Sequence, residues 1–311
     1  MPLTYTKEKT MSILEAIIEG ILQGATEFLP VSSSGHLSIS KHFLGITVDS
    51  LLFDVMLHLG TLVAVMVVYY DVVLRLIKAL FRFAKDVCTR NFKWKEMDED
   101  VRLLLMLFFG LIPLFLLFVP IPGSDLKIKD LADIFATDND IIIEGCALIL
   151  TSILLTLGIY AGKKTKAPRD SFRLKDALTV GIVQCCAAII PGISRSGSTL
   201  SSGMMCGLSR KTALDYSFVL GIPSIVAAAA LTVKDAVSEA ASVEWLPIIV
   251  GAITACIVGF IAIKLLRWMV STNKIHVFVW YTLILGVICV VIGIIERATG
   301  VNVLTGAPIA F

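Results

Sequence analysis

Six long apolar runs constrain this chain more than any other feature of its sequence. Each falls within the roughly 17–25 residues that a helix needs to cross a bilayer core about 30 Å thick. The runs lie at 51–70, 103–119, 141–161, 213–233, 245–266 and 276–295. Charged residues make up 17% of the 311 residues, whereas soluble domains have about 25%, so a soluble globular fold is excluded. The sequence predicts an all-α integral membrane protein with six transmembrane helices.

Two further apolar segments, 12–30 and 177–190, end in loops rich in proline, serine and glycine. Fifteen helical residues rise only about 22 Å, which is too short for a bilayer core about 30 Å thick. A polar break at membrane depth is tolerated only where it is buried in protein or lines a cavity. We therefore predict two re-entrant helical hairpins, at 12–45 and 177–208.

The two predicted hairpins resemble each other. The same residue types recur at an offset of 161 positions: Gly20, Gln23 and Pro30 in the first, and Gly181, Gln184 and Pro191 in the second. Each hairpin is followed by three spans, and because three is odd, the second copy has to lie upside down relative to the first. We predict an inverted-topology repeat of residues 1–170 and 171–311 within one compact membrane domain, with the two loops meeting near the bilayer midplane.

The basic residues predict how the chain is oriented. The loops at 71–100, 162–175 and 264–274 are rich in Lys and Arg and are expected to be cytoplasmic, which places both termini outside. An N-terminus inside follows instead if 12–30 crosses completely. Residues 71–100 also include an amphipathic stretch, which predicts a helix at the membrane surface. The polar first ten residues indicate no cleavable signal peptide.

The remaining composition excludes several other classes. A formal net charge of +2 is too small to indicate a nucleic-acid partner. The seven cysteines have no metal-ligand spacing and lie mostly in apolar runs, so we expect free thiols. Membrane lipids are the expected surroundings. A homodimer is left open, because small-residue stretches such as 227–230 permit close helix packing within or between subunits equally.

Polar side chains in the first hairpin predict a functional site, since ionisable groups are costly in an apolar segment. Glu19, Gln23 and Glu27 are spaced by four residues, so neighbours in this series share a helix face. The loop that follows contains Ser32, Ser33 and His36. A hydroxyl, an imidazole and a carboxylate this close in sequence could supply a nucleophile, a base and a metal ligand.

A second histidine, His58, lies within an apolar span. Asp54, four residues earlier, is its expected partner or a supporting group of the site. We interpret His58 as a structural residue.

The second loop combines hydroxyls, a glycine and one guanidinium at the start of a helix. Its candidate ligands are Ser194, Arg195, Ser196, Gly197 and Thr199. Backbone N–H groups at a helix start and an Arg side chain together form a cradle for an anion. Phosphate suits this cradle best, because the Arg fork can bind two oxygens at once. The alternative is a buried salt bridge from Arg195 to Glu27 without any ligand.

Both loops resemble the two signatures of the undecaprenyl-diphosphate phosphatases, the bacitracin-resistance family. The first signature is EGILQGATEFLPVSSSGHL at 19–37, and the second is PGISRSGST at 191–199. The resemblance implies a multi-pass enzyme of the bacterial cell membrane that removes the terminal phosphate of a C55 lipid carrier diphosphate, recycling the carrier for peptidoglycan synthesis. It also implies Mg²⁺ or Ca²⁺ as cofactor and a site open to the outer face.

The resemblance further implies roles for individual residues. The acidic motif falls on Gln23 and Glu27, the serine on Ser33, the histidine on His36 and the arginine on Arg195. In our hypothesis Glu27, with Gln23 as a weaker ligand, binds the cation. Ser33 is the nucleophile and His36 its base, although direct attack by His36, or by water that it activates, stays open.

The other candidate residues assist in this hypothesis. Arg195 neutralises the phosphates together with the second loop and with Ser32. Glu19 and Asp54 support the groups that touch the substrate.

A secondary transporter or lipid flippase is the alternative function. Inverted repeats with paired hairpins are also a transporter architecture. Such a protein needs an anion cradle but no Ser, His and Glu group beside the phosphate. A channel fits less well, because a tight anion site opposes rapid passage.

Overall fold

The computed structural model describes residues 11–44, 50–94, 96–124, 126–131, 141–239 and 244–309. This part of the chain contains eleven α-helices, one 3₁₀ helix and three isolated β-bridges, but no strand. The α-helices are α1 Ile13–Thr26, α2 Ser33–Leu44, α3 Leu51–Val68, α4 Tyr70–Cys88, α5 Glu99–Leu111, α6 Ile142–Lys164, α7 Leu174–Ile189, α8 Arg195–Met205, α9 Arg210–Glu239, α10 Trp245–Ser271 and α11 His276–Thr299. The polar first ten residues and the end of the first predicted hairpin at Gly45 lie outside the described residues.

Six helical stretches within the described ranges are long and apolar enough to cross a membrane, which confirms the predicted spans. They are α3, Glu99–Phe118, α6, Arg210–Thr232, α10 and α11. Large apolar side chains such as Phe115, Ile257 and Ile284 are exposed on them. A continuous exposed apolar surface of this kind is typical of contact with lipid. The protein is therefore a multi-pass membrane protein.

The second span is not one regular helix. α5 ends at Leu111, and a 3₁₀ helix continues over Ile112–Phe118. Pro113 explains the change, because proline lacks an N–H and its ring clashes with the carbonyl four residues earlier in an α-helix. The span predicted at 103–119 is thus present, and it begins four residues earlier, at Glu99.

The basic region that follows α3 forms α4, which lies outside the six spans. Val72, Leu76 and Phe83 pack against the main hydrophobic core, whereas the charged side chains of α4 are mostly exposed. On the exposed side, Arg82 Nη1 lies 2.8 Å from Asp98 Oδ2 in the segment before α5. This distribution confirms the predicted amphipathic helix, which ends at Cys88.

Glycines allow the two short helices α1 and α7, which precede the two signature loops, to pack closely on other helices. A Cβ atom added to Gly20 of α1 would lie 2.6 Å from the carbonyl oxygen of Gly251 in α10. A Cβ added to Gly181 of α7 would collide in the same way with the carbonyl oxygen of Gly110 in α5. Small residues at such positions let helix backbones approach each other inside a membrane. α1 and α7 are thereby fixed against the helices on which they pack.

Three aromatic rings form a row between the first loop and a cavity at the N-terminal end of α9. The cavity has a volume of about 840 Å³, and Tyr69, Asp215 and Arg267 are among its lining residues. The Tyr69 ring packs edge-on against Phe218, and Phe218 packs edge-on against Phe28, with centroids 5.8 Å and 5.5 Å apart. All three rings are buried. Because Phe28 follows Glu27 directly, these rings separate the cavity from the polar residues of the first loop.

Candidate active site

Glu27 and Arg195 join the two loops. Glu27 is the residue at the C-terminal end of α1, and Arg195 is the first residue of α8. The Arg195 Nη2 atom donates to Glu27 Oε1 at 2.6 Å across 168 positions of sequence. The side chain of Glu27 is 7% exposed and that of Arg195 is 20% exposed. The expectation that the two loops converge is confirmed, and the ion pair that we considered as an alternative is present.

The second oxygen of the Glu27 carboxylate binds the candidate nucleophile. Ser33, at the start of α2, donates its hydroxyl to Glu27 Oε2 at 2.7 Å. The Gln23 amide donates to the same oxygen at 3.1 Å. One carboxylate therefore accepts hydrogen bonds from a guanidinium, a hydroxyl and an amide. An acceptor beside a serine hydroxyl is the arrangement that activates a nucleophile.

His36 is hydrogen-bonded elsewhere and is not the partner of Ser33. Its Nδ1 lies 2.7 Å from the carbonyl oxygen of Ser32, so Nδ1 carries a proton and donates. Its Nε2 lies 2.7 Å from the hydroxyl of Tyr281 in α11, and the two rings are stacked. The predicted Ser33–His36 pair is thus absent, because the imidazole turns back onto the preceding helical turn while Ser33 faces Glu27. Tyr281 was not predicted, since nothing near the signatures indicates a residue 245 positions away.

His58, which we interpreted as structural, lies beside Glu27. Its Nε2 is 3.8 Å from Glu27 Oε2. Its Nδ1 is 2.8 Å from the main-chain carbonyl oxygen of Asp54. The expected Asp54–His58 contact therefore exists through the backbone, whereas the Asp54 carboxylate lies 3.5 Å from Lys41.

The two residues that we expected to support the site both hold α2. The buried Glu19 accepts a hydrogen bond from Ser40 at 2.8 Å, and Asp54 contacts Lys41. Both contacts attach the second helix of the first hairpin to its neighbours, α1 and α3. Glu19 and Asp54 thus position the helix that begins with Ser33.

Most hydroxyls of the second loop stabilise the loop itself, in contrast to the predicted phosphate contacts. Ser194 accepts from the Gly197 N–H at 3.1 Å and is the N-cap of α8. Ser196 donates to the Leu29 carbonyl of the first loop at 2.9 Å. Thr199 donates to the Arg195 carbonyl at 3.0 Å and also pairs with the Ser217 hydroxyl. These side chains are buried and fix the loop in which Arg195 is held.

Ser32, also predicted to contact phosphate, shapes the first loop. Its φ of 73° is in the left-handed region, which is uncommon for residues other than glycine. Its hydroxyl oxygen accepts from the Gly35 N–H at 3.2 Å. The resulting turn brings Gly35 against Gly192, where an added Cβ would lie 3.4 Å from the Gly192 Cα. Ser32 therefore sets the contact between the two loops.

One nitrogen of the Arg195 guanidinium, Nη1, is unpartnered in the described part of the chain. It is also buried. A Cβ on Gly221 of α9 would collide with this nitrogen, so the guanidinium lies flat against the backbone of α9. The proximity of Gly221 to Arg195 could not be inferred from the sequence, because the two residues lie on different helices.

Glu27 and Gln23 are the two residues at this site that we expected to bind a metal ion, and both would do so through oxygen atoms. Gln23 Oε1 is buried and unpartnered. Within the described ranges, no group of three or more His, Cys, Asp or Glu side chains could hold a metal ion. Mg²⁺ is usually held by one or two carboxylates together with substrate phosphates. Glu27 and Gln23 therefore supply oxygen atoms of the kind that bind Mg²⁺, but too few to bind it without other ligands.

Comparisons with known proteins agree in pointing to one family. A family model described as "Bacitracin resistance protein BacA" matches residues 16–288. The chain is 34% identical to an undecaprenyl-diphosphatase of Desulforapulum autotrophicum, over 92% of this chain and 100% of that protein. It is 38% identical to an undecaprenyl-diphosphatase of Trichormus variabilis, over 89% and 82% of the respective chains. For the undecaprenyl-diphosphatase of Halothermothrix orenii the identity is 35%, over 91% and 98%.

Proposed function

This chain belongs to the bacitracin resistance protein BacA family, and we propose that it hydrolyses undecaprenyl diphosphate to undecaprenyl phosphate and inorganic phosphate. The activity named for its relatives is this hydrolysis. One observation carries the proposal for this chain: Glu27 joins Arg195 to the Ser33 hydroxyl within a buried site. The reaction returns a lipid carrier to peptidoglycan synthesis, and the family description connects it with bacitracin resistance.

In the proposed mechanism, the prenyl tail stays in lipid and the diphosphate enters beside Arg195. Ser33 Oγ attacks the terminal phosphorus and its proton passes to Glu27, while the bond to the bridging oxygen breaks and undecaprenyl phosphate leaves. Arg195 stabilises the charge on the transferring group, which is the main requirement of phosphoryl transfer. Water then releases phosphate from Ser33. Mapping a trapped phosphoryl group to His36 would reverse the choice of nucleophile.

Phosphate release from a prenyl diphosphate by the purified protein in detergent tests this function. We expect stoichiometric release of inorganic phosphate and prenyl monophosphate. A flippase or transporter gives none, because transport cannot occur without two compartments. Absence of release from folded protein would therefore favour that alternative.

A divalent cation, Mg²⁺ or Ca²⁺, is proposed as cofactor and would add positive charge beside the phosphates. We expect chelation to lower phosphate release at least about 10-fold, in line with the effect of metal-bound charge on transferring phosphoryl groups. Adding Mg²⁺ or Ca²⁺ should restore the rate. Of the two proposed ligands, Glu27 and Gln23, only Glu27 is a carboxylate, so the cation should bind weakly in the absence of substrate. Chelation should therefore leave the unfolding temperature of substrate-free protein unchanged. Full activity after exhaustive chelation would contradict a cation requirement.

We propose that α1–α2 and α7–α8 are re-entrant hairpins within an inverted repeat of residues 1–170 and 171–311. Reciprocal packing supports this proposal: Gly20 packs on Gly251, and its counterpart Gly181 packs on Gly110. The two partners, Gly110 and Gly251, differ by 141 positions, as do Gly145 and Gly286. Gly145 and Gly286 contact each other's carbonyl oxygen, at 2.8 Å and 2.7 Å from an added Cβ. In the proposed repeat, α6 and α11 are equivalent helices of the two halves, and they contact each other at the equivalent positions Gly145 and Gly286.

The proposed orientation in the bacterial cell membrane places both termini and the opening of the site outside. Its support is the basic character of the loops at 71–100, 162–175 and 264–274. Cys88, exposed at the end of α4, should then react with a membrane-impermeant maleimide only after the cells are opened. A variant that keeps Cys88 as its single cysteine gives the cleanest measurement. Labelling of intact cells would invert the proposed orientation.

A further inference from the structure

The imidazole at the accessible edge of the site belongs to His58. The side chain of His58 is 39% exposed, against 7% for Glu27 and 20% for Arg195. His58 Nε2 lies 3.8 Å from Glu27 Oε2, the oxygen that accepts the Ser33 hydroxyl. This distance is too long for a direct hydrogen bond. His58 is thus the most exposed of the three side chains and lies on the side of Glu27 that binds Ser33.

The orientation of the His58 ring directs a lone pair towards the site. A main-chain carbonyl only accepts hydrogen bonds, so Nδ1 donates to the Asp54 carbonyl 2.8 Å away. In the neutral ring the proton is then on Nδ1, and Nε2 is an acceptor. Thr61, which donates to the His58 carbonyl at 2.8 Å, and the close packing of Gly60 on α10 hold this part of α3 in place.

His36 does not offer the same group. Its Nδ1 donates to the Ser32 carbonyl, so Nε2 accepts the proton of the Tyr281 hydroxyl. The ring is also buried. Of the two imidazoles, His58 is the more exposed, and its Nε2 lies beside the Glu27 oxygen that binds Ser33.

Building on the proposed phosphatase function, we propose that His58 is the general base of the second half-reaction. After the first step, a phosphoryl group is bound to Ser33 and undecaprenyl phosphate has left. A water molecule held by His58 Nε2 attacks the phosphorus, its proton passes to Nε2, and the bond from phosphorus to Ser33 Oγ breaks. Ser33 Oγ regains a proton from Glu27, which took it in the first step. His58 then returns its proton to bulk water, and inorganic phosphate leaves.

The test measures both half-reactions in wild-type protein and in His58→Ala, His58→Gln and His276→Ala variants. A prenyl diphosphate labelled in its terminal phosphate reports released phosphate and protein-bound phosphate after rapid quenching. We expect His58→Ala to release phosphate about 10²-fold more slowly, a usual contribution of general base catalysis. Labelled phosphoryl groups should accumulate on Ser33 in that variant. His58→Gln should behave similarly, because its amide can orient a water molecule but cannot act as a base.

Added imidazole should restore release by His58→Ala, which a merely structural defect would not permit. His276, an exposed histidine at the start of α11, is the matched control, and its variant should match wild type with or without imidazole. Normal release by His58→Ala overturns the assignment, and so does slow release without protein-bound phosphate or imidazole rescue. If wild-type protein itself releases no phosphate, the proposed function fails and this inference fails with it.

Discussion

Replacing Arg195 with alanine should lower the rate of phosphate release by about 10³-fold. An arginine that stabilises a transferring phosphoryl group is worth about 10³–10⁵ in turnover, and a single preorganised donor about 10²–10³. The Arg195 side chain is 20% exposed, one of its nitrogens is bonded to Glu27, and a second nitrogen is unpartnered among the residues that the structure describes. Phosphate release under saturating substrate gives the measurement. Arg195→Lys should recover only part of the activity, because an ammonium cannot bind two partners in a planar fork.

Loss of a buried ion pair also destabilises the fold, so the experiment needs a control variant that loses a similar ion pair away from the site. Arg169 pairs with Asp176 at 2.8 Å, and its side chain is 21% exposed, close to the 20% of Arg195. Arg169→Ala should lower the unfolding temperature to a similar extent and leave the turnover of the folded fraction near that of wild type. Equal losses of turnover in both variants would mean that Arg195 acts through stability.

Replacing Glu27 with glutamine should reduce phosphate release by about 10²–10⁴-fold, the range for loss of general base catalysis. The amide keeps the size of the side chain but cannot take the proton of Ser33. The neutral side chain also leaves the charge of Arg195 uncompensated, which costs about 3–5 kcal/mol when a buried pair is broken. Unlike the His58 variants, Glu27→Gln should form no protein-bound phosphate, since the first half-reaction is blocked.

Asp176→Asn is the matched control for Glu27→Gln, because it neutralises the buried carboxylate of another Arg–carboxylate pair, Arg169–Asp176. It should unfold at a lower temperature than wild type and retain turnover per folded molecule. Accumulation of phosphoserine in Glu27→Gln would show that another group accepts the Ser33 proton.

The parts of the architecture that depend on short stretches of sequence could be predicted. A bilayer admits helices of a certain length and apolarity, so the spans α3, α6, α10 and α11 are visible in composition alone. The convergence of the two loops follows from the repeated motifs, and the 2.6 Å contact between Glu27 and Arg195 agrees with it. The 3₁₀ segment after α5 also has a local cause in Pro113.

The roles of the polar side chains depend on partners that are remote in sequence. Ser196 donates to the Leu29 carbonyl 167 positions away, and His36 is hydrogen-bonded to the Tyr281 hydroxyl. Hydroxyls expected to face a phosphate are used in this way to satisfy buried polar groups, whose cost when unpaired is high. The position of His58 beside Glu27 could not be predicted for a related reason. Spacing within α3 indicates its neighbour Asp54, but only the packing of α3 against the first hairpin brings it to Glu27.

The row formed by Phe28, Phe218 and Tyr69 matters for the ion gradient across the membrane that this chain spans. The cavity lies at the N-terminal end of α9, and the Glu27–Arg195 pair lies farther along the same helix, near Gly221. The two phenylalanine rings carry no group that can relay a proton, and the Tyr69 hydroxyl is already donated to Asp215 at 2.6 Å. The direct line from the cavity to the site therefore passes two buried side chains that cannot relay a proton.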